Sequence, residues 1–230
     1  HYWKNWENYL EFKDENGLAK FIECGCMIYQ TEENDYLKNV ILRASELAIP
    51  FEKWDIKKIK SKLPIVDTSK FGPVKLPTDK IFGEITGENL SGAIFFPTAG
   101  YVNDPQLSAH NLQRASEKKG AFYLFNSSVE KVLIEQGRTS GIRLNSGESI
   151  YAPIVVNVAG PHSMKINQLA DVEKYMNIKT KALKVEVSHV QPPSGFQYEE
   201  NGFVISDSDI GCYSRPETGN HILIGSEDPK

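Results

Sequence analysis

The sequence lacks the glycine pattern of a dinucleotide-binding loop. No two of its 17 glycines are separated by a single residue, so a G-x-G-x-x-G motif cannot occur anywhere in the chain. The motifs G-x-S-x-G, G-x-x-x-x-G-K-S/T and H-E-x-x-H are absent as well. These absences leave no motif-based case for a serine hydrolase, a P-loop nucleotidase or a zinc protease.

Cysteine and histidine are scarce and poorly spaced for chemistry. Three cysteines, an odd number, argue against a disulfide framework and favour a reducing compartment, so we expect a cytoplasmic protein. Cys24 and Cys26 form a C-x-C pair, which is the wrong spacing for a zinc knuckle or a redox C-x-x-C. The five histidines show no ligand spacing either, and we expect no metal site.

Long apolar runs and an excess of positive charge are also missing. Lys and Arg number 26 against 30 Asp and Glu, and the net charge of −4 gives no reason to expect nucleic acid as a partner. No apolar stretch approaches the roughly 20 residues of a membrane-spanning helix. The start at His1 shows neither a signal peptide nor an initiator methionine, which suits a fragment of a longer protein.

Hydrophobic periodicity predicts alternating helices and strands. An amphipathic helix is expected near 35–48, and a second helix begins at Asp104-Pro105, where N-cap and N1 residues stand in the right order, and ends at Gly120. Alternating or apolar runs predict strands at 21–29, 121–125, 128–135, 139–144, 149–151, 183–187, 202–206, 210–214 and 221–226.

The run Ile154–Val158 is almost entirely apolar and is followed by Ala159-Gly160-Pro161. A continuous apolar strand is typical of a parallel sheet that is covered on both faces. Small residues directly after it suit a place where the backbone passes close to a ligand or to another strand.

The central segment carries a family resemblance, in the residues FFPTAGYVNDPQLSAHNLQRASEKKGAFYLFNSSVEKVLIEQGRTSGIRLNSGESIYAPIVVNVAGPHS. The order of an Asp-Pro helix start, a helix ended by Gly-Ala, a valine-bearing strand, a hairpin and a strand ending in Ala-Gly resembles the D-amino-acid-oxidase-like family of FAD-dependent oxidoreductases. The resemblance extends more loosely to both ends of the chain. The family's glycine-rich loop and C-terminal segment are not found in these 230 residues.

The resemblance implies an α/β fold of mixed α+β character, with part of a doubly wound FAD-binding domain and a mixed or antiparallel substrate sheet covered by helices. The implied division assigns residues 1–91 to the first part of the substrate domain with a connector. Residues 92–170 then belong to the FAD-binding domain, and residues 171–230 form the second part of the substrate domain.

The resemblance also implies roles for five residues. Val129 would offer backbone groups to the adenine edge of FAD, although it could equally be a core valine. Ala159 and Gly160 would approach the FAD near its diphosphate and ribityl chain. Tyr213 would act as a catalytic and substrate-binding residue beside the flavin, or else be a sheet-edge tyrosine. Arg215, on the same strand face, would pair with an anionic substrate or be a structural arginine.

The implied activity is oxidation of a small amine or amino acid, such as sarcosine, glycine, proline or dimethylglycine, with hydride transfer to FAD. Leu223 stands where sarcosine oxidases of the family carry an oxygen-activating lysine, which favours a dehydrogenase or an unlike oxidase. An FAD-dependent hydroxy-acid or glycerol-3-phosphate dehydrogenase remains an alternative. A further alternative is a non-catalytic substrate-binding or interaction domain, because the isolated chain, lacking the loop, is expected to be inactive. Homo- and hetero-oligomers both remain open.

Overall fold

The structure, a computed structural model, describes residues 2–226 and divides into two compact units. The first unit combines residues 2–119 with residues 185–226, and the second is formed by residues 120–184. The chain thus leaves the first unit and returns to it. None of the helices in the described part of the chain is both long enough and apolar enough to cross a membrane.

Six α-helices and twelve strands make up the regular structure of residues 2–226. The helices are α1 Trp6–Leu10, α2 Leu37–Glu46, α3 Ile56–Lys62, α4 Pro105–Lys118, α5 Ser163–Leu169 and α6 Tyr198–Asn201. The strands are β1 Phe21–Ile22, β2 Cys26–Tyr29, β3 Glu52–Trp54, β4 Ala93–Phe96, β5 Tyr101–Val102, β6 Val129–Glu135, β7 Arg138–Leu144, β8 Ser149–Tyr151, β9 Val187–Val190, β10 Val204–Asp207, β11 Cys212–Glu217 and β12 His221–Ser226.

The first unit is built on a seven-stranded sheet with the order β3-β4-β2-β10-β11-β12-β9. β10 pairs with β2 in parallel, and the other neighbouring strands pair antiparallel, so the sheet is mixed. The predicted α/β fold class with a mixed sheet and covering helices is confirmed.

One face of this sheet carries the core of the unit. In β2, Met27 and Tyr29 are buried while Cys26 and Ile28 are half-buried, which is the alternation of a strand with only one face against the core. Ile59 of α3 and Tyr198 of α6 belong to the buried cluster on this face. The members of the cluster are Met27, Tyr29, Trp54, Ile59, Leu63, Leu90, Ala93, Phe95, Tyr198 and Ile205. Helices α3 and α6 therefore cover this face. On the opposite face, Cys26 and Ile28 are half-buried, and Ile94, which pairs with Ile28, is fully buried.

Helix α4 begins where the sequence predicts it, and its first turn is capped. The Asp104 carboxylate accepts a hydrogen bond from the Leu107 N–H at 2.8 Å, and Pro105 occupies the first helical position. Farther along the helix, Asn111 is fully buried. Its side-chain oxygen accepts from Trp6 Nε1 at 3.2 Å and from the Ala19 N–H at 3.0 Å, which ties α1 and the following loop to α4.

The second unit is a three-stranded antiparallel sheet, β6-β7-β8, with α5 packed against β6. Gln136 and Gly137 both adopt positive φ at the turn between β6 and β7. Two positive φ values in a two-residue turn match the right-handed twist of the flanking strands, so this predicted hairpin forms.

The predicted buried strand at Ile154–Val158 is wrong for the part of the chain that the structure describes. Ile154, Val156 and Val158 are 74%, 73% and 86% exposed, and residues 154–159 are neither helix nor strand. A strand buried on both faces needs a sheet neighbour and covering helices, and within residues 2–226 no strand pairs with it. The predicted strand at 121–125 fails in the same way, with Phe122 85% exposed.

The contact boundaries of the units differ from the implied functional boundaries. β4 and α4, which the resemblance assigned to the FAD-binding residues 92–170, lie in the first unit. Compactness does not decide which segments contact FAD. The division into 1–91, 92–170 and 171–230 therefore stays a prediction.

Candidate functional site

Tyr213 and Arg215 lie on β11, and their spacing of two residues places them on the same face of the sheet. Tyr213 is directly opposite Gly225 of β12, and Arg215 is directly opposite Leu223. On the other side of β11, Tyr213 is opposite Ser206 of β10. The core residues Met27 and Ile205 belong to the opposite face, so these side chains lie on the face that α3 and α6 leave uncovered.

Arg215 is held by three contacts. Its Nη2 donates to Glu217 Oε2 at 2.8 Å, and its Nη1 donates to the Pro216 carbonyl at 2.9 Å. The guanidinium carbon lies 4.6 Å from the centre of the Tyr101 ring, within the range of a cation–π contact. Because the Arg215 and Glu217 side chains are only 17% and 15% exposed, they form a half-buried ion pair and not a solvated surface contact.

Glu217 is ionised in this arrangement. Burial alone would raise the pKa of its carboxyl, but the hydrogen bond from the Thr218 N–H and the Arg215 charge outweigh burial and hold the pKa below its usual range. The positively charged Arg215 and the negatively charged Glu217 are therefore adjacent on the sheet face that carries Tyr213.

The thiols of Cys24 and Cys26 are poor nucleophiles. Burial raises the pKa of the Cys24 thiol, and it raises the pKa of the Cys26 thiol to about 11. Since the thiolate is the reactive form, both side chains remain protonated at neutral pH.

Val129 opens β6 of the second unit beside an irregularity in the sheet. Val129 pairs with Leu144 and Lys131 pairs with Arg143, so Glu130 is accommodated as an extra residue between them. Such bulges interrupt the ladder and redirect the local backbone. Val129 itself is half-buried, which is compatible with a backbone contact to a ligand and with a packing role.

Ala159 and Gly160 lie at an exposed turn before α5. Gly160 opens a short 3-10 helix at Gly160–His162 and has a φ of 55°, a conformation that side chains disfavour. A Cβ added at Gly160 would meet nothing within 4 Å. The glycine therefore leaves the backbone accessible, as a diphosphate or ribityl contact would require.

The five predicted residues thus fall into two groups, with Tyr213 and Arg215 in the first unit and the other three in the second. Sequence reasoning missed Glu217, although an opposite charge two residues after Arg215 on a strand is a readable signal. It also missed Asn157, whose signal is a single polar residue inside an apolar run. Within residues 2–226, no cluster of three or more His, Cys, Asp and Glu side chains is arranged to hold a metal ion.

The mixed α/β fold and its two compact units do not by themselves define an activity. Comparison with known families defines the class of protein, because residues 2–230 match the family described as "DAO: FAD dependent oxidoreductase". The chain belongs to this family of FAD-dependent oxidoreductases.

Solved structures of similar fold are about twice as long. The chain is similar to L-proline dehydrogenase from P. horikoshii, with a TM-score of 0.67, 20% identity, and coverage of 97% of this chain and 52% of that one. It is also similar to glycine oxidase from Bacillus cereus ATCC 14579, with a TM-score of 0.62, 18% identity, and coverage of 91% and 50%. At these identities the likeness shows the fold alone.

The match to a curated relative covers a smaller share of both proteins. The zeta-carotene-forming phytoene desaturase of Myxococcus xanthus is 26% identical over 152 residues, which are 65% of this chain and 25% of that protein. The chain therefore spans about half the length of the solved structures and a quarter of this relative.

Proposed function

We propose that this chain is the substrate-binding part, with a portion of the cofactor site, of an enzyme that oxidises a small amine or amino acid. Sarcosine, glycine, proline and dimethylglycine are the candidate substrates. The observation that carries the proposal is the half-buried Arg215–Glu217 ion pair on the same sheet face as Tyr213. An amino acid carries both charges on one small molecule, and this pair offers a counter-charge for each.

Each of the three side chains would bind a different group of the substrate. The Arg215 guanidinium suits the substrate carboxylate, because its planar donors match two carboxylate oxygens. The Glu217 carboxylate suits the substrate ammonium group. The Tyr213 hydroxyl can donate a third hydrogen bond to the substrate while its ring forms an apolar wall.

The cofactor would be held mainly by backbone groups of the second unit. The open space beside Gly160 and the exposed backbone of Ala159 fit a diphosphate or ribityl contact, and the bulge beside Val129 fits a contact to the adenine edge. FAD, when bound there, would supply the hydride acceptor for the substrate carbon, which is chemistry that no side chain supplies. The residues present are therefore compatible with the family's cofactor.

We further propose a dehydrogenase in preference to an oxidase. Leu223 lies directly opposite Arg215 and carries an aliphatic side chain where sarcosine oxidases have a lysine. An aliphatic group provides no positive charge to stabilise reduced oxygen species. The electron acceptor would then be a molecule other than oxygen.

Hydroxy-acid or glycerol-3-phosphate oxidation is the second candidate. Such substrates bear only negative charge, so the Glu217 carboxylate would repel them while Arg215 attracted them. A non-catalytic binding domain is the third candidate. It would keep the ion pair but would take up no FAD.

An anaerobic absorbance titration of the protein from the complete reading frame separates these candidates. We expect flavin absorbance that bleaches with sarcosine, proline or glycine and persists with lactate and glycerol-3-phosphate. Bleaching by the latter two alone would replace the amine proposal with the second candidate, and protein that takes up no FAD would leave the binding domain. In Tyr213→Phe, a raised KM or lowered turnover is expected, and unchanged kinetics would remove Tyr213 from the site.

A further inference from the structure

Asn157 is the polar exception in the apolar run Ile154–Val158, and its side chain makes three hydrogen bonds. Its Nδ2 donates to the Ser163 carbonyl and to Asn167 Oδ1, both at 2.8 Å. Its Oδ1 accepts from the Ala159 N–H at 3.2 Å. Both amide protons and one carbonyl lone pair are thus engaged, and the side chain links α5 to the turn that precedes it.

The conformation of the segment around Asn157 depends on such side-chain hydrogen bonds. Residues 154–159 are neither helix nor strand, so a backbone ladder does not determine their conformation. Along the same segment, Asn157 is half-buried, while its neighbours Val156 and Val158 point into solvent. The exposed side chains of Ile154, Val156 and Val158 therefore do not anchor this stretch in the described structure, whereas the Asn157 amide does, next to the half-buried Val155.

The turn is also held from its other side. Ser163 Oγ donates to the Gly160 carbonyl at 2.8 Å, and the His162 N–H donates to the Ala159 carbonyl at 3.1 Å. Ala159 is therefore fixed through its N–H by Asn157, and Gly160 through its carbonyl by Ser163. The result is an exposed backbone turn with a defined orientation and with open space beside Gly160.

We propose that Asn157 is a positioning residue that holds the Ala159–Gly160 turn ready for FAD. This inference rests on the proposed contact between FAD and that turn. A backbone site that is ordered before the ligand arrives avoids the entropy loss of ordering it during binding. Freeing one residue of the turn corresponds to a loss of about tenfold in affinity.

The test is a titration of FAD into the apo form of the protein from the complete reading frame. We expect Asn157→Ala to raise the Kd for FAD about tenfold, because the Ala159 N–H and the Ser163 carbonyl both lose their partner. Asn145→Ala is the matched control, since it removes the same amide from an exposed turn of the same unit, and it should leave the Kd unchanged.

A second ligand distinguishes positioning from general damage to the unit. AMP offers an adenine edge without the ribityl chain and the second phosphate, so its Kd should change much less than that of FAD in Asn157→Ala. Equal losses for AMP and FAD would overturn the positioning role. An unchanged Kd for FAD in the variant would overturn it as well.

Asn167→Ala provides a milder variant if Asn157→Ala does not fold. It removes one hydrogen bond of Asn157 and leaves the bond to the Ala159 N–H, so a rise in the Kd for FAD of about threefold is expected. No rise in this variant would contradict the proposal. An unsubstituted protein that binds no FAD would overturn both this inference and the proposed function, whereas normal FAD binding by both variants would overturn this inference alone.

Discussion

Tyr213 of β11 lies against Gly225, the residue directly opposite it on β12. A Cβ added at Gly225 would overlap the outer atoms of the tyrosine ring, including its hydroxyl. Glycine at this place therefore gives the ring room to lie across the sheet. The orientation of the proposed substrate-binding hydroxyl depends on a residue that has no functional group.

Gly225→Ala should turn the Tyr213 ring away and reduce turnover of an amine substrate more than it reduces stability. The ring end can move, so the free energy of unfolding should fall by only about 1 kcal/mol. Kinetics and urea unfolding of the single variants and of the double variant with Tyr213→Ala form a double-mutant cycle. If Gly225→Ala costs as much in the Tyr213→Ala background as alone, the ring contact is not its cause.

Glu217→Gln should separate the binding of carboxylates from the binding of amino acids. Without the Glu217 charge, Arg215 is no longer neutralised, so acetate should inhibit at a concentration several-fold lower. An amino-acid substrate loses its ammonium partner in the same variant, so its KM should rise. Inhibition constants and KM values measured at one ionic strength check both directions.

Glu135→Gln is the control for this pair of measurements, because Glu135 is an exposed carboxylate in the second unit. It should change neither the inhibition constant nor the KM. Acetate inhibition that is unchanged in Glu217→Gln would show that Arg215 does not meet the substrate carboxylate.

Features whose causes lie within a few residues could be predicted from the sequence. The capped start of α4 follows from Asp104-Pro105, and the hairpin between β6 and β7 follows from the turn at Gln136-Gly137. The strand at Ile154–Val158 was predicted wrongly, because its burial depends on neighbouring strands that residues 2–226 do not supply.

In the candidate site, too, features with local causes could be predicted and contacts between distant segments could not. The shared face of Tyr213 and Arg215 follows from the two-residue period of a strand. The stacking of Arg215 on Tyr101 joins segments that are far apart in sequence, and no local pattern indicates it. The same holds for Tyr213 and Gly225, which meet only because β11 and β12 pair in this register.

Asp14→Asn should lower stability at neutral pH and have a smaller effect in acid. The Asp14 carboxylate is fully buried and accepts from His110 Nδ1 at 2.8 Å and from Asn111 Nδ2 at 2.9 Å. Burial opposes its charge, but the hydrogen bonds of Asn16, Asn111 and His110 prevail and hold the pKa below its usual range.

The sign of the pH dependence follows from that lowered pKa. The stabilisation is fully present above the unfolded-state pKa of about 3.9 and is lost as the pH falls through the lower folded-state pKa. Urea midpoints of the variant and the unsubstituted protein should therefore differ at pH near 7 and converge as the pH drops below about 4. Glu15→Gln, a nearby exposed carboxylate, should show no such convergence, and a constant difference at all pH values for Asp14→Asn would contradict the assignment.

Val156→Ser should reduce stability by different amounts in two lengths of the protein. In the 230-residue chain Val156 is 73% exposed, so the substitution should change the free energy of unfolding by less than about 0.5 kcal/mol. The apolar alternation of Ile154, Val156 and Val158 is nevertheless that of a strand with a buried face, and three such side chains in water are unfavourable. We therefore expect them to be covered in the protein from the complete reading frame, where Val156→Ser should cost about 2 kcal/mol. Chemical unfolding of both lengths, with and without the substitution, makes each length the control for the other, and an equal, small effect in both would mean that the run stays exposed.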